Sequence, residues 1–310
     1  MDYKDFIERQ ISDIREAVGS GIAINALSGG VDSSAVTVLG HRALGDRFKT
    51  IFVDNALMRE GEPQRIVRTF AALGIPVELI DARRDFLGAL RGITDPEKKR
   101  QAITDTFYRD VFRKAVEKSK ATFLFHGTIL TDIEETVAGI KRQHNILAQI
   151  GIDPEQTYGY KVIEPLKELR KDGVREVARA LGLPDEIAYR MPFPGPALAA
   201  RIVGEVTEAR LATVRSATVI VEEELASTGA FQYFAVLLGD HATGIRDGKR
   251  EFGQIIVVRC IDSVDAREAS VRDVPWATLH RIADRISRIP GVNRCLYDLT
   301  PKPPATIEYV

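Results

Sequence analysis

The sequence predicts an α/β protein: a doubly wound parallel sheet followed by a smaller C-terminal α/β domain. Three observations carry this. Short apolar, β-branched runs alternate with longer amphipathic stretches over the first half; such alternation builds βαβ units and a parallel sheet covered on both faces. The run YRMPFPGPALAARI (189–202) then packs three prolines and a glycine into a short stretch that resists helix and central strand alike. Beyond it a second, shorter set of apolar runs begins.

Taken in order, GIAINAL (21–27), TIFVD (50–54), PVELID (76–81) and TFLFHG (122–127) read as strands. AVTVLGHRAL (35–44), residues 63–73 and the long stretch 96–118 read as the intervening helices. In VIEPLKELRKDGVREVARALGLP (162–184), Leu166, Leu169, Val174, Val177 and Leu181 fall near one helical stripe, and Gly182 and Pro184 stop it. Residues 141–160 show weak periodicity and are expected to form a loop. After the junction come a helix at 208–226, strands FQYFAVLLG (231–239) and GQIIVVRCID (253–262), a helix at 276–288, and CLYDLT (295–300). The expected domains are 1–190 and 191–310.

Bulk properties agree with two domains. The chain has 310 residues, against a typical domain of about 150. Lys+Arg 43 against Asp+Glu 44 leaves a net charge of -1, which argues against a nucleic-acid partner. The cysteines Cys260 and Cys295 cannot form a disulfide framework, which fits a reducing, cytoplasmic setting. No run of about 18 uncharged apolar residues reads as a membrane span. His41, His126, His144, His241 and His280 show no metal-ligand spacing.

After the first strand comes Ser28-Gly29-Gly30-Val31-Asp32-Ser33-Ser34, then a helix. Two glycines let backbone approach an anion, the helix start offers unpaired amides and partial positive charge, and Ser28, Ser33 and Ser34 add hydroxyls. Phosphate is the natural ligand, although Gly-Gly turns with a capping Asp or Ser also open ordinary helices. The heptad is neither a Walker A loop nor a dinucleotide fingerprint.

SGGVDSS resembles the loop of the ATP pyrophosphatases, which cleave ATP between the α and β phosphates. Further stretches narrow the resemblance: VDNALMR (53–59), HGTILTDIEE (126–135), IKRQHN (140–145), VIEPLKELRKDGVR (162–175), MPFPGPALAARI (191–202) and KPPATIE (302–308). Together they resemble the GMP synthetase family along essentially the whole chain, in its form with a separate glutaminase.

The resemblance implies that the loop holds pyrophosphate, that Asp32 helps bind Mg2+ and that Lys141 is a lid lysine reaching the ATP phosphates. Arg59, Gln232, Lys302 and Glu308 would touch xanthosine 5′-monophosphate (XMP). By residue type, Arg59 and Lys302 suit its phosphate, and Gln232 and Glu308 suit its base or ribose. Asp132 and Glu135 either support magnesium or cap a helix. The implied reaction is attack of the XMP C2 oxygen on the α-phosphate, then displacement of AMP by ammonia.

Some positions depart from the family: Ala197 replaces a glycine, Gln143-His144 replaces a histidine pair, and Tyr309-Val310 replaces the usual ending. NAD synthetase, a thiouridine synthase and a non-catalytic nucleotide-binding module are the alternatives. The C-terminal motifs weigh against the first, the two cysteines against the second, and Asp32, Lys141 and Lys302 against the third. With the loop beginning at Ser28 and no glutaminase domain ahead of it, ammonia is expected from a separate glutamine amidotransferase subunit. The resemblance also implies a homodimer through the C-terminal domain.

Overall fold

A computed structural model gives the structure of residues 2–137 and 159–310; Lys141 and His144, with most of the expected 141–160 loop, lie outside these described residues. The chain forms two compact units. Unit 1 comprises Met1–Asp54, Pro63–Ala82 and Thr104–Arg190, and unit 2 comprises Asn55–Glu62, Arg83–Ile103 and Met191–Val310.

Unit 1 is built on a parallel sheet of order β3-β2-β1-β4-β5, with β1 at Ala23–Ala26, β2 at Phe48–Asp54, β3 at Glu78–Asp81, β4 at Phe123–Phe125 and β5 at Lys161–Ile163. The chain runs outward from β1 to β3 and then crosses back to β4. The order therefore reverses between β1 and β4, and the crevice beyond the carboxyl ends of these strands is where such sheets take ligands.

Helix α1 (Tyr3–Val18) starts where the Asp2 side chain accepts from Lys4 N, ends at Gly19 with φ 54°, and buries Phe6, Ile7, Ile14 and Val18 along one stripe. Each such side chain contributes about 1.5–3 kcal/mol on burial. It packs on α2 (Val31–Leu44) and on α8, which is Lys171–Ala180. The remaining helices α3 (Glu62–Ala72), α4 (Arg83–Leu90), α5 (Pro96–Asp105), α6 (Arg113–Ser119) and α7 (Leu130–Val137) lie between these elements in sequence. Between α5 and α6, Thr106–Phe112 is π-helical, so the single helix expected over 96–118 is interrupted by a wide turn. The expected stripe at 162–184 is buried, but only its second half is helical: Leu166 and Leu169 precede α8, and residues 161–163 form the edge strand β5.

Following α9 (Asp185–Ala188), unit 2 carries a second sheet in which β6 (Gln232–Arg246) and β7 (Lys249–Asp262) are antiparallel. β8 (Ser270–Val271) pairs antiparallel to β7, and β9 (Val292–Tyr297) pairs parallel to it. The β6–β7 hairpin turns at Asp247 and Gly248, both with positive φ, the Asp-Gly signature of a tight hairpin. Helix α10 (Glu208–Leu225) packs on β6 and on α11 (Trp276–Ser287). Phe234, Val236 and Val257 form an apolar cluster that Ile307 and Tyr309 of the C-terminal segment cover. No described helix is long and apolar enough to cross a membrane.

Candidate active site

In unit 1 the loop of residues 28–34 is fixed from below. Asn25, buried on β1, donates to Thr37 Oγ1 at 2.6 Å and to Ser33 O at 3.3 Å, which ties the strand to the first turns of α2. Gly29 takes φ 77°, and its carbonyl accepts from Arg190 Nη1 at 2.8 Å. Glycine is required there by backbone conformation, and a Cβ, 2.7 Å from that same nitrogen, would in addition displace the tip of Arg190. The Ser28 and Ser33 hydroxyls lie 2.8 Å apart, and Ser34 N donates to Gly30 O at 3.0 Å as α2 begins. The amides of the first turn have no partner within a helix and carry the positive end of its dipole. Ser34 is fully buried and its hydroxyl has no partner, which sets it apart from the other two serines.

Asp32 stands in that first turn, and Lys171 donates to its carboxylate at 2.7 and 2.9 Å. A lysine opening a helix opposes the helix dipole; the ion pair with Asp32 explains its position at the start of α8. The loop forms one side of a cleft of about 250 Å³ whose other walls include Phe107, Tyr108, His126 and Gly127. The π-helical turn brings its aromatic residues together there: Phe107 meets Tyr108 edge-on with ring centres 4.9 Å apart and stacks on Phe112 at 5.8 Å. Burial pushes the Tyr108 hydroxyl up to about 12. Wide helical turns of this kind re-aim side chains and recur at functional sites. A cleft with hydroxyls and helix amides at one side and aromatic surface at the other suits a phosphorylated ligand with a flat, apolar body.

In unit 2 a second cluster surrounds Phe193. Arg59 lies over its ring at 4.0 Å and Arg201 at 5.0 Å, while Arg201 also lies 4.3 Å from the centre of Phe234. Arg59 pairs with Glu222 at 2.7 Å. Its backbone amide donates to Glu62 Oε2 at 3.2 Å. Arg215 donates to Met58 O at 2.9 Å and to Ala56 O, which fixes the loop that carries Arg59. Glu308 accepts from Arg201 Nε at 3.1 Å, from Arg201 Nη2 at 3.0 Å and from Gln232 Nε2 at 2.8 Å. Burial pushes the Arg201 guanidinium below its ordinary value, an effect the Glu308 carboxylate opposes. The tail bearing Glu308 is held by buried Arg259, which donates to the carbonyls of Thr300, Thr306 and Ile307 and to Asp298.

Of the residues expected from sequence, Ser28, Asp32 and Ser33 line one cleft. Arg59, Gln232 and Glu308 belong to the Phe193 cluster. Lys302 stands apart from these contacts: its backbone pairs with Ala269, and Nζ donates to Ala266 O at 2.7 Å. Asp132 accepts from Ile129 N at 3.1 Å at the start of α7, a contact of the kind that caps a helix; Glu135 lies on the same helix. Sequence reasoning missed Lys171, Arg201, Glu222 and the aromatic turn at 106–112. The dipole-opposing lysine was the one local signal among them. Among the described residues no group of three or more His, Cys, Asp or Glu side chains forms a metal cage.

Residues 2–196 match the NAD synthase family and residues 220–309 match the GMP synthase C terminal domain. The chain is similar over 311 residues, at 52% identity and covering 100% of both chains, to a subunit of the glutamine-hydrolyzing GMP synthase of Archaeoglobus fulgidus. The Thermococcus kodakarensis protein of the same name is 48% identical over 311 residues, covering 99% of each chain. Among solved structures, an NH3-dependent NAD synthetase from Campylobacter jejuni in complex with nitrate aligns at a TM-score of 0.48 and 16% identity, covering 63% of this chain and 80% of that one.

Proposed function

The chain belongs to the family of these glutamine-hydrolyzing GMP synthase subunits, and we propose that it adenylylates XMP with ATP and aminates the product to GMP. The observation that carries this reading is the coexistence of the phosphate loop in unit 1 with the Arg59, Gln232 and Glu308 cluster in unit 2. In the reaction, the XMP C2 oxygen attacks the α-phosphorus, the bond to the β-phosphate oxygen breaks, and pyrophosphate leaves. Ammonia then adds at C2, AMP leaves carrying the former C2 oxygen, and the added nitrogen loses a proton to solvent. Catalysis is positioning and charge stabilisation, and no protein nucleophile is needed.

The loop amides and the Ser28 and Ser33 hydroxyls receive the departing pyrophosphate, where negative charge develops. Lys171 supplies a second positive group beside the loop. Lys141, outside the described residues, takes the lid role that the family resemblance implies. A carboxylate in the first turn of a helix beside a phosphate loop suits Mg2+ carried in on a nucleotide, since that ion keeps phosphate oxygens and waters as ligands. Asp32 would hold it, and the ion would neutralise charge on the phosphates. Arg59 serves the XMP phosphate, with Gln232 and Glu308 at its base or ribose; Lys302 joins at the phosphate once it releases Ala266 O.

Ammonia comes from a separate glutaminase subunit. In support, burial pushes Cys260 up to about 12 and Cys295 up to about 11, so neither thiol is the activated thiolate that glutamine hydrolysis requires. We place the homodimer contact in unit 2, where Ile245 and Phe252 are 80% and 74% exposed on the β6–β7 hairpin; light scattering on Phe252→Glu should then show a monomer, and an unchanged mass would reject the contact.

The test is pyrophosphate release from ATP by the purified chain, with ammonium as nitrogen donor. Release should require XMP and yield GMP from ammonium but not from glutamine. The match of residues 2–196 to NAD synthase favours one second reading, amidation of a nicotinate dinucleotide. Release with that substrate and not with XMP would establish it instead.

A further inference from the structure

Arg201 is 0% exposed, and its Nη1 has no hydrogen-bond partner. Stability alone gives no reason for such a residue. A buried guanidinium loses its hydration, an orphaned donor loses more, and an apolar side chain of similar volume between Phe193 and Phe234 would avoid both losses. What Arg201 does achieve is geometric. Its Nε and Nη2 grip Glu308 in the two-pronged manner specific to guanidinium and carboxylate, and Gln232 joins the same carboxylate from β6.

We propose that Arg201 is a positioning residue for substrate recognition: it fixes the Glu308 carboxylate, and through it the Gln232 amide, in the orientation that receives the purine nucleotide. Glu308 Oε1 takes two donors, from Arg201 and Gln232, whereas Oε2 takes one. A carboxylate oxygen accepts about two. Oε2 therefore keeps room for one ligand N–H or O–H, and a ligand presenting an acceptor there is refused. Lysine at position 201 retains the charge but cannot span both oxygens. The carboxylate is then free to rotate, and Gln232 loses its fixed partner. This inference rests on the assignment of XMP to the unit 2 cluster.

The experiment measures XMP-dependent pyrophosphate release, with ammonium as nitrogen donor, for the wild type, Arg201→Lys, Arg201→Met, Glu308→Gln and the Arg201→Lys/Glu308→Gln pair. Thermal unfolding is followed in parallel. Arg201→Lys should raise KM for XMP about tenfold, the scale of losing one charged hydrogen bond, with kcat and KM for ATP little changed. Arg201→Met, which fills the apolar slot without the grip, should stay folded and show the same rise. In the Glu308→Gln background Arg201→Lys should add little, because both changes remove one interaction.

An unchanged KM for XMP in Arg201→Lys and Arg201→Met overturns the positioning role, as does a fall in kcat alone or full additivity with Glu308→Gln. Failure of both Arg201 variants to fold overturns it in favour of a stability role. If the wild type releases no pyrophosphate in response to XMP, the substrate assignment and this inference fall together. That outcome is distinct from an active wild type with indifferent variants.

Discussion

The two functional regions handle charge in opposite ways. The loop of unit 1 is assembled from small residues and backbone, and its ion pair with Lys171 is accessible, with Lys171 45% and Asp32 27% exposed. Unit 2 buries its cations: Arg201 and Arg259 are fully enclosed, each gripped by a carboxylate, and Lys99 is enclosed as well. The first arrangement can exchange partners when a charged ligand arrives, because little structure depends on the pair. In the second, side-chain position and fold stability depend on the same contacts. Substitutions at the loop should therefore impair activity while leaving stability intact, and substitutions among the buried cations of unit 2 should in addition shift the unfolding midpoint without abolishing the fold.

The largest expected effect tests the first half of that contrast. Asp32→Ala should lower pyrophosphate release at least about a hundredfold, the scale of removing a charge-stabilising group at a reacting phosphate. An exposed ion pair contributes about 0–1 kcal/mol, so the unfolding midpoint should barely move. Wild-type release from a folded Asp32→Ala protein would remove Asp32 from the machinery; a large loss of stability would instead erase the distinction between the regions.

The same contrast decides how much was legible in the sequence. The loop is contiguous, and its chemistry follows from residue types at fixed spacing, so SGGVDSS could be read directly with its flanking strand and helix. The cluster joins residues 59, 193, 201, 222, 232 and 308, which no local pattern connects. The family resemblance supplied Arg59, Gln232 and Glu308 but not the groups that orient them. Glu222 occupies one face of a regular helix and could as well have been solvated. The π-helical turn was invisible because Phe107, Tyr108 and Phe112 also satisfy ordinary helical packing; only the structure shows them at the cleft. The hairpin extended beyond its expected ends because Ile245 and Phe252 are apolar without being buried, which blurs the alternation that marks a strand's limits.

An intermediate effect is expected at Gly127, where β4 ends beside the loop. A Cβ there would lie 3.2 Å from Ser33 N and 3.3 Å from Asp32 Cβ, closer than ordinary packing allows. The space has to come from a shift of the first turn of α2 by a few tenths of an ångström. Gly127→Ala should lower kcat/KM for ATP about tenfold through misplaced phosphate donors, again with little loss of stability. Unchanged ATP kinetics would place the phosphates away from this end of the cleft.

The smallest effect tests the buried cations of unit 2 through pH. Lys99 is 2% exposed and donates to Ile202 O at 2.6 Å, a neutral partner. Burial, with Arg210 adding to it, pushes Lys99 down to about 8 from its ordinary 10.5. Below pH 8 the ammonium is protonated in folded and unfolded chains alike, and the folded state bears the full desolvation penalty. As the pH rises through 8 toward 10.5 the folded state releases the proton first, the unfolded state binds more protons, and stability increases. Cys260 and Cys295 act in the opposite sense above their ordinary value of 9.0, because the unfolded thiols ionise first. Comparison with Lys99→Met cancels that contribution, since the variant keeps both thiols. Denaturant unfolding at pH 8 and pH 9 should show the difference between wild type and Lys99→Met moving in favour of the wild type by about 1 kcal/mol. A difference that stays flat, or moves toward the variant, would mean that Lys99 does not carry a buried charge, and the contrast between an accessible loop and a buried cluster would rest on the arginines alone.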